Sequence, residues 1–408
     1  MSDIRQSFVI GFEDEFGKGL GVGKCYISPP PGASLNTQHN RSTTRIQSSG
    51  TKFWDTIAYG RMAGSFNLTY TFDYKYIEPL FLAFEEAGVE EITETVDGVE
   101  VKKYKYTFRK KDLKRMKSGV IRRRIDNNIT YNGRGPDEET ELRGVVVKNI
   151  RFSKASGTSQ VNVTLTGSYA YECLVTGRFE TTYYENYTGK LVEYMCMSVS
   201  DDGTDYEYVA NTDSLELGVQ NNADMIYSTC SPFAKDFYEG VSAFEFSTSC
   251  WSNNPMRYKT RLYGGGQQTA AKGTRSDKLG LEVRGNGVDA PYGTMIYEPM
   301  AKGMAPLKSI RLASTSDPVT DEDNSLNNPT RVYSAQFEIT DTVIKSLTWP
   351  KGDGSKIQDQ ISSAECKNIT LTIYTDKATY DPTGADPAHK NLVANTENME
   401  IVKDYVGQ

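Results

Sequence analysis

Two histidines, His39 and His389, are all that the 408 residues contain, and this scarcity excludes a good deal. A catalytic dyad or triad built on imidazole would have to draw on one of two polar segments, and a zinc site would lack its usual nitrogen ligands. The six cysteines (25, 173, 196, 230, 250 and 366) form no Cys-x-x-Cys pair and no framework spacing, so they read as free thiols in a reducing compartment. Long apolar runs are missing as well. No stretch reaches membrane-spanning length, and residues 1–11 put Asp3 and Arg5 ahead of only a short apolar run, which is not signal-peptide chemistry.

Nucleotide loops are also lacking. Gly17-Lys18-Gly19-Leu20-Gly21-Val22-Gly23-Lys24 is glycine-rich, but it has neither the Gly-to-Gly-Lys-Ser/Thr spacing of a phosphate loop nor a helix-forming sequel. Asp201-Asp202-Gly203-Thr204-Asp205 and the stretch 317–323 offer alternate oxygens to calcium without a Glu at the twelfth position, so they read as solvated loops. Acidic pairs such as Asp353 with Asp359 fall in expected loops, without the stiff frame that a glycosidase needs. No enzyme, metal or cofactor is expected.

What is present is β chemistry: 26 Tyr and 16 Phe among abundant Thr, Val and Gly, with few long Ala/Leu/Glu runs. Residues 17–51 form a Gly/Ser/Pro-rich arm with too few apolar residues for a core of its own. Phe66, Leu68, Tyr70 and Phe72 alternate with polar residues, predicting a half-buried strand. Behind Asp73, the residues Tyr76, Ile77, Leu80, Phe81 and Phe84 recur at spacings of three and four, predicting one amphipathic helix over about 76–86. Asp97-Gly98 between two β-type runs predicts a hairpin, Tyr131-Asn132-Gly133 a second turn, and 144–152 with 161–167 a closing strand pair around Gly157.

An internal likeness accompanies this order. Ile344-Lys345-Ser346-Leu347-Thr348-Trp349-Pro350-Lys351 matches Val147-Lys148-Asn149-Ile150-Arg151-Phe152-Ser153-Lys154 in apolar positions and both lysines. Asn368-Ile369-Thr370-Leu371-Thr372 repeats Asn162-Val163-Thr164-Leu165-Thr166, and Phe244-x-Phe246 echoes Phe66-x-Leu68. A tandem duplication is expected: a first domain over 1–172, a linker or insertion over 173–213, and a second domain over 214–408 with an insertion at about 252–335 and a polar C-terminal tail.

Charge is segregated. Residues 85–100 hold seven acids and no base, and residues 102–124 hold twelve Lys or Arg against Asp112 alone, a local +11 that leaves −18 for the remainder. Tyr104, Tyr106 and Phe108 interleave with the bases, so this hairpin of about 90–130 could bind nucleic acid, present a solvated face, or mediate charge complementarity between subunits.

In its order of features the chain resembles the tail tube, or major tail, proteins of long-tailed phages and related viruses. The features are the arm, the Gly60 to Phe72 strand, the helix, the terminal strand pair, and Ser214 to Asn222 ahead of Gly240 to Phe246. The resemblance implies two tandem β-sandwich or barrel-like tube domains with one short helix and a long arm, closing a trimeric ring of pseudo-six-fold outline. Rings would stack into a hollow virion tail, assembled in the host cytoplasm, with a neutral or acidic bore that passes viral DNA without sequence-specific binding. Tail terminator, tape measure and tail tip proteins are the implied partners, with no membrane.

On this reading Gly19, Gly21, Gly23, Tyr26, Pro30, Leu35, Arg41 and Arg45 pack the arm on a neighbour, and Ile77, Leu80, Phe81 and Phe84 cover a sheet. Glu90, Glu91, Glu94, Lys110, Lys111, Lys114, Arg115, Arg122, Arg123 and Arg124 are candidates for contacts between rings, and deleting 18–50 should leave a folded subunit that does not polymerise. The alternative is a two-domain β-sandwich adhesin or carbohydrate-binding module, for which the many tyrosines would line sugar sites.

Overall fold

A computed structural model describes residues 5–21, 26–27, 29–30, 32–46, 49, 56–96, 99–110, 115–126, 138–176, 190–193, 195–200, 202–209, 212–251, 307–315, 333–348, 358–376 and 400–404. The protein is mainly β, and every strand pairing is antiparallel. The first half contributes β1 (Arg5–Phe12), β2 (Ser34–Ile46), β3 (Thr56–Thr71), β4 (Glu86–Val96), β5 (Val99–Arg109), β6 (Gly119–Asp126), β7 (Glu138–Lys154), β8 (Asn162–Tyr169) and β9 (Tyr171–Thr176). The second contributes β10 (Cys196–Ser200), β11 (Glu207–Val209), β12 (Thr212–Gln220), β13 (Asp224–Tyr227), β14 (Ala234–Tyr238), β15 (Ala243–Trp251), β16 (Leu307–Thr315), β17 (Ser334–Thr348), β18 (Gln358–Cys366), β19 (Asn368–Thr375) and β20 (Glu400–Asp404).

One long sheet runs β2-β3-β8-β7-β12-β15-β18-β17. Two further sheets, β1-β6-β7-β9-β20 and β4-β5-β19-β17-β16-β10-β11, share β7 and β17 with it. Alternation explains the layering: on β8, Val163, Leu165 and Tyr169 are buried while Asn162 is exposed. The inward residues of all three sheets meet in one core, which includes Phe12, Phe72, Phe152, Phe246 and Phe337.

Both shared strands change sheet at a left-handed residue, Gly144 (φ +63°) in β7 and Asp341 (φ +48°) in β17. At Gly144 a Cβ would stand 2.8 Å from the Ala170 Cβ and 2.8 Å from the Phe16 ring. Asp tolerates this conformation better than most residues. We expect Gly144→Ala to lose about 2–4 kcal/mol, as strain at φ > 0 adds to the clash; denaturant unfolding at constant m-value would measure it.

The strands β1, β2, β3, β6, β7, β8 and β9 pair among themselves as β10, β12, β15, β16, β17, β18 and β19 do. Register agrees too. Val147 faces Gly167 and Ile344 faces Ala364, both 197 residues on, and Arg143 faces Tyr171 as Thr340 faces Asn368. The Val147/Ile344 match therefore joins strands in the same place. The Asn162/Asn368 match does not: Asn162–Thr166 lies in β8, whose counterpart is β18, whereas Asn368–Thr372 opens β19. Phe66, opposite Gly167, corresponds to Phe246, opposite Ala364, instead of to Phe244.

Three local expectations change. The span 76–86 holds a single 3₁₀ turn, Glu78–Leu82, with Pro79 in it; Ile77, Leu80, Phe81 and Phe84 are buried with all their neighbours, so there is no polar helix face. Asp73 accepts from the Lys75 and Lys190 amides instead of capping a helix. The arm is no free extension, because residues 34–46 are β2, paired along β3 from Ser34↔Thr69 to Ile46↔Thr56. The stretch 173–213 supplies β10 and β11, and β16 falls inside 252–335, with Leu307, Ile310 and Leu312 in the core. Residues 131–133, 252–306, 316–332 and 377–399 lie outside the described residues, with the second turn and most of the expected insertion and tail.

Candidate assembly surfaces

The glycine-rich segment folds back on its own chain. The Glu13 carboxylate, whose pKa burial raises against the pull of its amide donors, accepts from Gly17 N (3.0 Å), Gly19 N (3.1 Å) and Gly144 N (3.0 Å). Gly21 N donates to Phe12 O, and Pro30 and Leu35 are buried. Tyr26 is buried with its hydroxyl on Glu141, and burial followed by the Glu141 charge raises the pKa of this phenol well above its usual value. Of the expected arm contacts, Gly19, Gly21, Tyr26, Pro30 and Leu35 are thus intramolecular, Gly23 lies outside the described residues, and Arg41 and Arg45 remain exposed on β2. The Arg41 guanidinium sits 4.4 Å over the Tyr59 ring.

The opposite charges of the β4–β5 hairpin satisfy one another. Val96 faces Val99, as a two-residue Asp97-Gly98 connection requires, and this register sets Glu90 directly against Lys105 (3.3 Å) and Glu91 diagonally against Lys102 (3.2 Å). Lys110 meets Glu85 in a buried pair; burial pulls the ammonium pKa down and Glu85 opposes it. Arg115 reaches Asp236, Arg122 is fully buried, and Arg123 binds Glu172 (3.0 Å) and Thr37 (2.8 Å). Lys111 and Lys114 lie outside the described residues; Glu94 and Arg124 lie on β4 and β6. A dense basic face is therefore not what the described bases build.

The outward face of the long sheet is a polar carpet. Thr69 meets Thr164 (3.4 Å), Thr71 meets Asn162 (3.5 Å) and Asn149 meets Thr166 (3.3 Å). Its charges include two opposed pairs, Arg151 with Glu216 and Lys345 with Glu365, while Glu245 accepts from Gln220 (2.9 Å). Period-two Thr and Asn build this face because each inward apolar residue sends its neighbours outward.

Within the chain, the two strand sets join edge to edge. β12 pairs with β7 from Leu215↔Lys154 to Gln220↔Asn149, and Asn221 N continues the ladder onto Lys148 O (2.7 Å). At the ends of the long sheet, among the described residues, β2 pairs only with β3, and β17 beyond Thr342 pairs only with β18. Of these two edges, β2 lies within the 17–51 arm expected to pack on a neighbour, and the Val147/Ile344 match contains the other.

Among the described residues, no group of three or more His, Cys, Asp or Glu could hold a metal. Asp202 instead accepts from the Thr204 and Asp205 amides and the Ser200 hydroxyl, which hold its carboxyl well below the usual range. No described helix is long and apolar enough to cross a membrane. No protein-family model matches the chain, and no curated protein matches it.

Proposed function

We propose that the chain is a self-assembling structural subunit, a duplicated tube protein whose copies close into rings and stack into the hollow tail of a long-tailed virus. The observation that carries this reading is the β7–β12 junction. β12 is the counterpart of β2 and β7 that of β17, so the two edges left unpaired among the described residues of the long sheet are the same pair of edges that already join inside the chain.

A contact that repeats the internal junction between chains is head-to-tail, and such contacts close a ring when their rotation does. Three chains then present six similar units. The joined sheets would turn one face to the bore, and the Thr/Asn carpet with paired charges suits that role. Such a face wets readily and carries few unpaired cations to hold passing DNA phosphates. Tail terminator, tape measure and tail tip proteins would contact the ends and interior of such a tube.

Light scattering and negative-stain electron microscopy of the purified full chain across concentration test this directly. Three-fold rings of pseudo-six-fold outline, and tubes at higher concentration, are expected. A monomer under every condition, with a melting transition shifted by added glycans, would sink the proposal in favour of the carbohydrate-binding module.

A further inference from the structure

A hollow of about 440 Å³ opens beside β2 and β3, with Arg123, Thr140, Leu174, His39 and Tyr169 in its lining. Its polar groups are tied to one another: His39 Nε2 lies 2.8 Å from Glu172, and the Tyr169 hydroxyl lies 2.8 Å from His39 Nδ1. Burial, then the Glu172 charge, holds the Tyr169 phenol protonated above its usual range. The geometry points to Trp349 of a second copy of this chain as the occupant of this hollow, an inference that rests on the head-to-tail reading above.

The internal junction supplies the template. Phe152 of β7 is buried, with its ring 4.7 Å from Phe337 of the second strand set. Phe337 is flanked on its two neighbouring strands by Leu312 and Leu371. Its counterpart 197 residues earlier is Thr140, flanked in the same way by Arg123 and Leu174. These three residues line the hollow, which therefore stands where the first strand set should receive what Phe152 gives to the second. The counterpart of Phe152 is Trp349, next in sequence after the end of β17.

The sizes are complementary. Thr140 and Arg123 replace Phe337 and Leu312 on the receiving side, and the entering side chain grows from Phe to Trp. A guanidinium is also a favourable neighbour for an indole face. The donor strand shows the same incompleteness: Ile150 is fully buried by the internal junction, whereas its counterpart Leu347 is only half-buried. On the receiving strand, Leu215, Leu217 and Val219 of β12 correspond to Leu35, Thr37 and His39 of β2, since Leu217 faces Phe246 as Thr37 faces Phe66. Repeating the β7–β12 register between chains puts Trp349 opposite Thr37 and Ser346 opposite Asn40.

The Ser346/Asn40 pair corresponds to Asn149/Gln220, which alternates with the pairs that exchange hydrogen bonds and so has the closer Cα spacing, suited to a disulfide. In the full-length chain, Ser346→Cys with Asn40→Cys should give covalent trimers on mild oxidation of assembled protein, and neither single variant should. Trp349→Ala should raise the concentration needed for rings at least tenfold, and so should Ala63→Trp, which fills the hollow from β3. Trp349→Phe should assemble within a few-fold of the native chain. Unchanged circular dichroism and melting of unassembled protein would show that these variants fold. Rings that form without the cross-link, or with Trp349→Ala assembling at native concentrations, overturn the inference and leave the ring reading standing. Failure of the unaltered chain to form rings overturns both.

Discussion

Deleting residues 18–50 is expected to destroy the fold instead of yielding a soluble subunit that cannot polymerise. The deleted stretch contains Tyr26, Ile27 and Leu35, each at most 6% exposed, and each contributes about 1.5–3 kcal/mol by burial. It also removes the whole of β2 from the edge of β3 and takes Gly19 away from Glu13. Glu13 would keep a buried carboxylate with fewer donors, a further penalty of about 1–3 kcal/mol. Together these losses approach the 5–15 kcal/mol by which a domain is stable at all.

Circular dichroism and a thermal melt of the deletion variant decide the matter, and a cooperative transition near that of the native chain would contradict it. A narrower excision of 44–58, rejoined by an Asn-Gly turn, keeps the ladder from Ser34↔Thr69 to Thr43↔Tyr59 with Leu35 in place, and should melt within a few degrees of the native chain.

The contrast between these two variants shows where the sequence misleads. β2 reads Ser-Leu-Asn-Thr-Gln-His-Asn-Arg-Ser-Thr-Thr-Arg-Ile, polar nearly throughout, because every residue beyond Thr37 is exposed; only its ladder to β3 makes it a strand. Composition cannot report a ladder. The helix reading failed for the opposite reason. Spacings of three and four among Tyr76, Ile77, Leu80, Phe81 and Phe84 look amphipathic, but the intervening Glu78, Pro79, Leu82 and Ala83 are buried as well, so the apolar stripe was part of a segment covered on every side.

Strand alternation was legible wherever one face is buried, as in β3 and β8, and the Val147/Ile344 likeness fell on strands that occupy matching places. The Asn162/Asn368 likeness arose because Thr alternating with aliphatics is the common solution for any half-exposed strand, so similarity of type survived without similarity of place. The charge blocks were legible as neighbours in sequence, but their partners are set by the Val96↔Val99 register, which puts Glu90 opposite Lys105 and Glu91 diagonal to Lys102. The hollow could not be read at all, since residues 39, 123, 140 and 174 converge only through three separate strand pairings.

Thr37→Pro is expected to abolish ring formation while leaving the subunit folded. In the internal junction the Asn221 amide donates to Lys148 O, and the register places the amides of Val219 and Leu217 on the same side, toward β7. Thr37 is the counterpart of Leu217, so its amide faces away from β3, and proline there takes no hydrogen bond from the β2–β3 ladder. It removes a donor from the outer edge and puts a ring in the path of an arriving strand. At about 3 kcal/mol per contact this weakens each contact roughly a hundredfold, since every 1.4 kcal/mol is a decade.

The Thr37 hydroxyl also receives Arg123, so Thr37→Val serves as the control: it loses that bond but keeps the amide, and should still assemble. Gln38→Pro is the converse, because its amide belongs to the β3 side, and it should lower the melting temperature of the subunit. If Thr37→Pro formed rings at the native concentration, β2 would not be the receiving edge, and the correspondence between the internal junction and the contact between chains would fail at its first link.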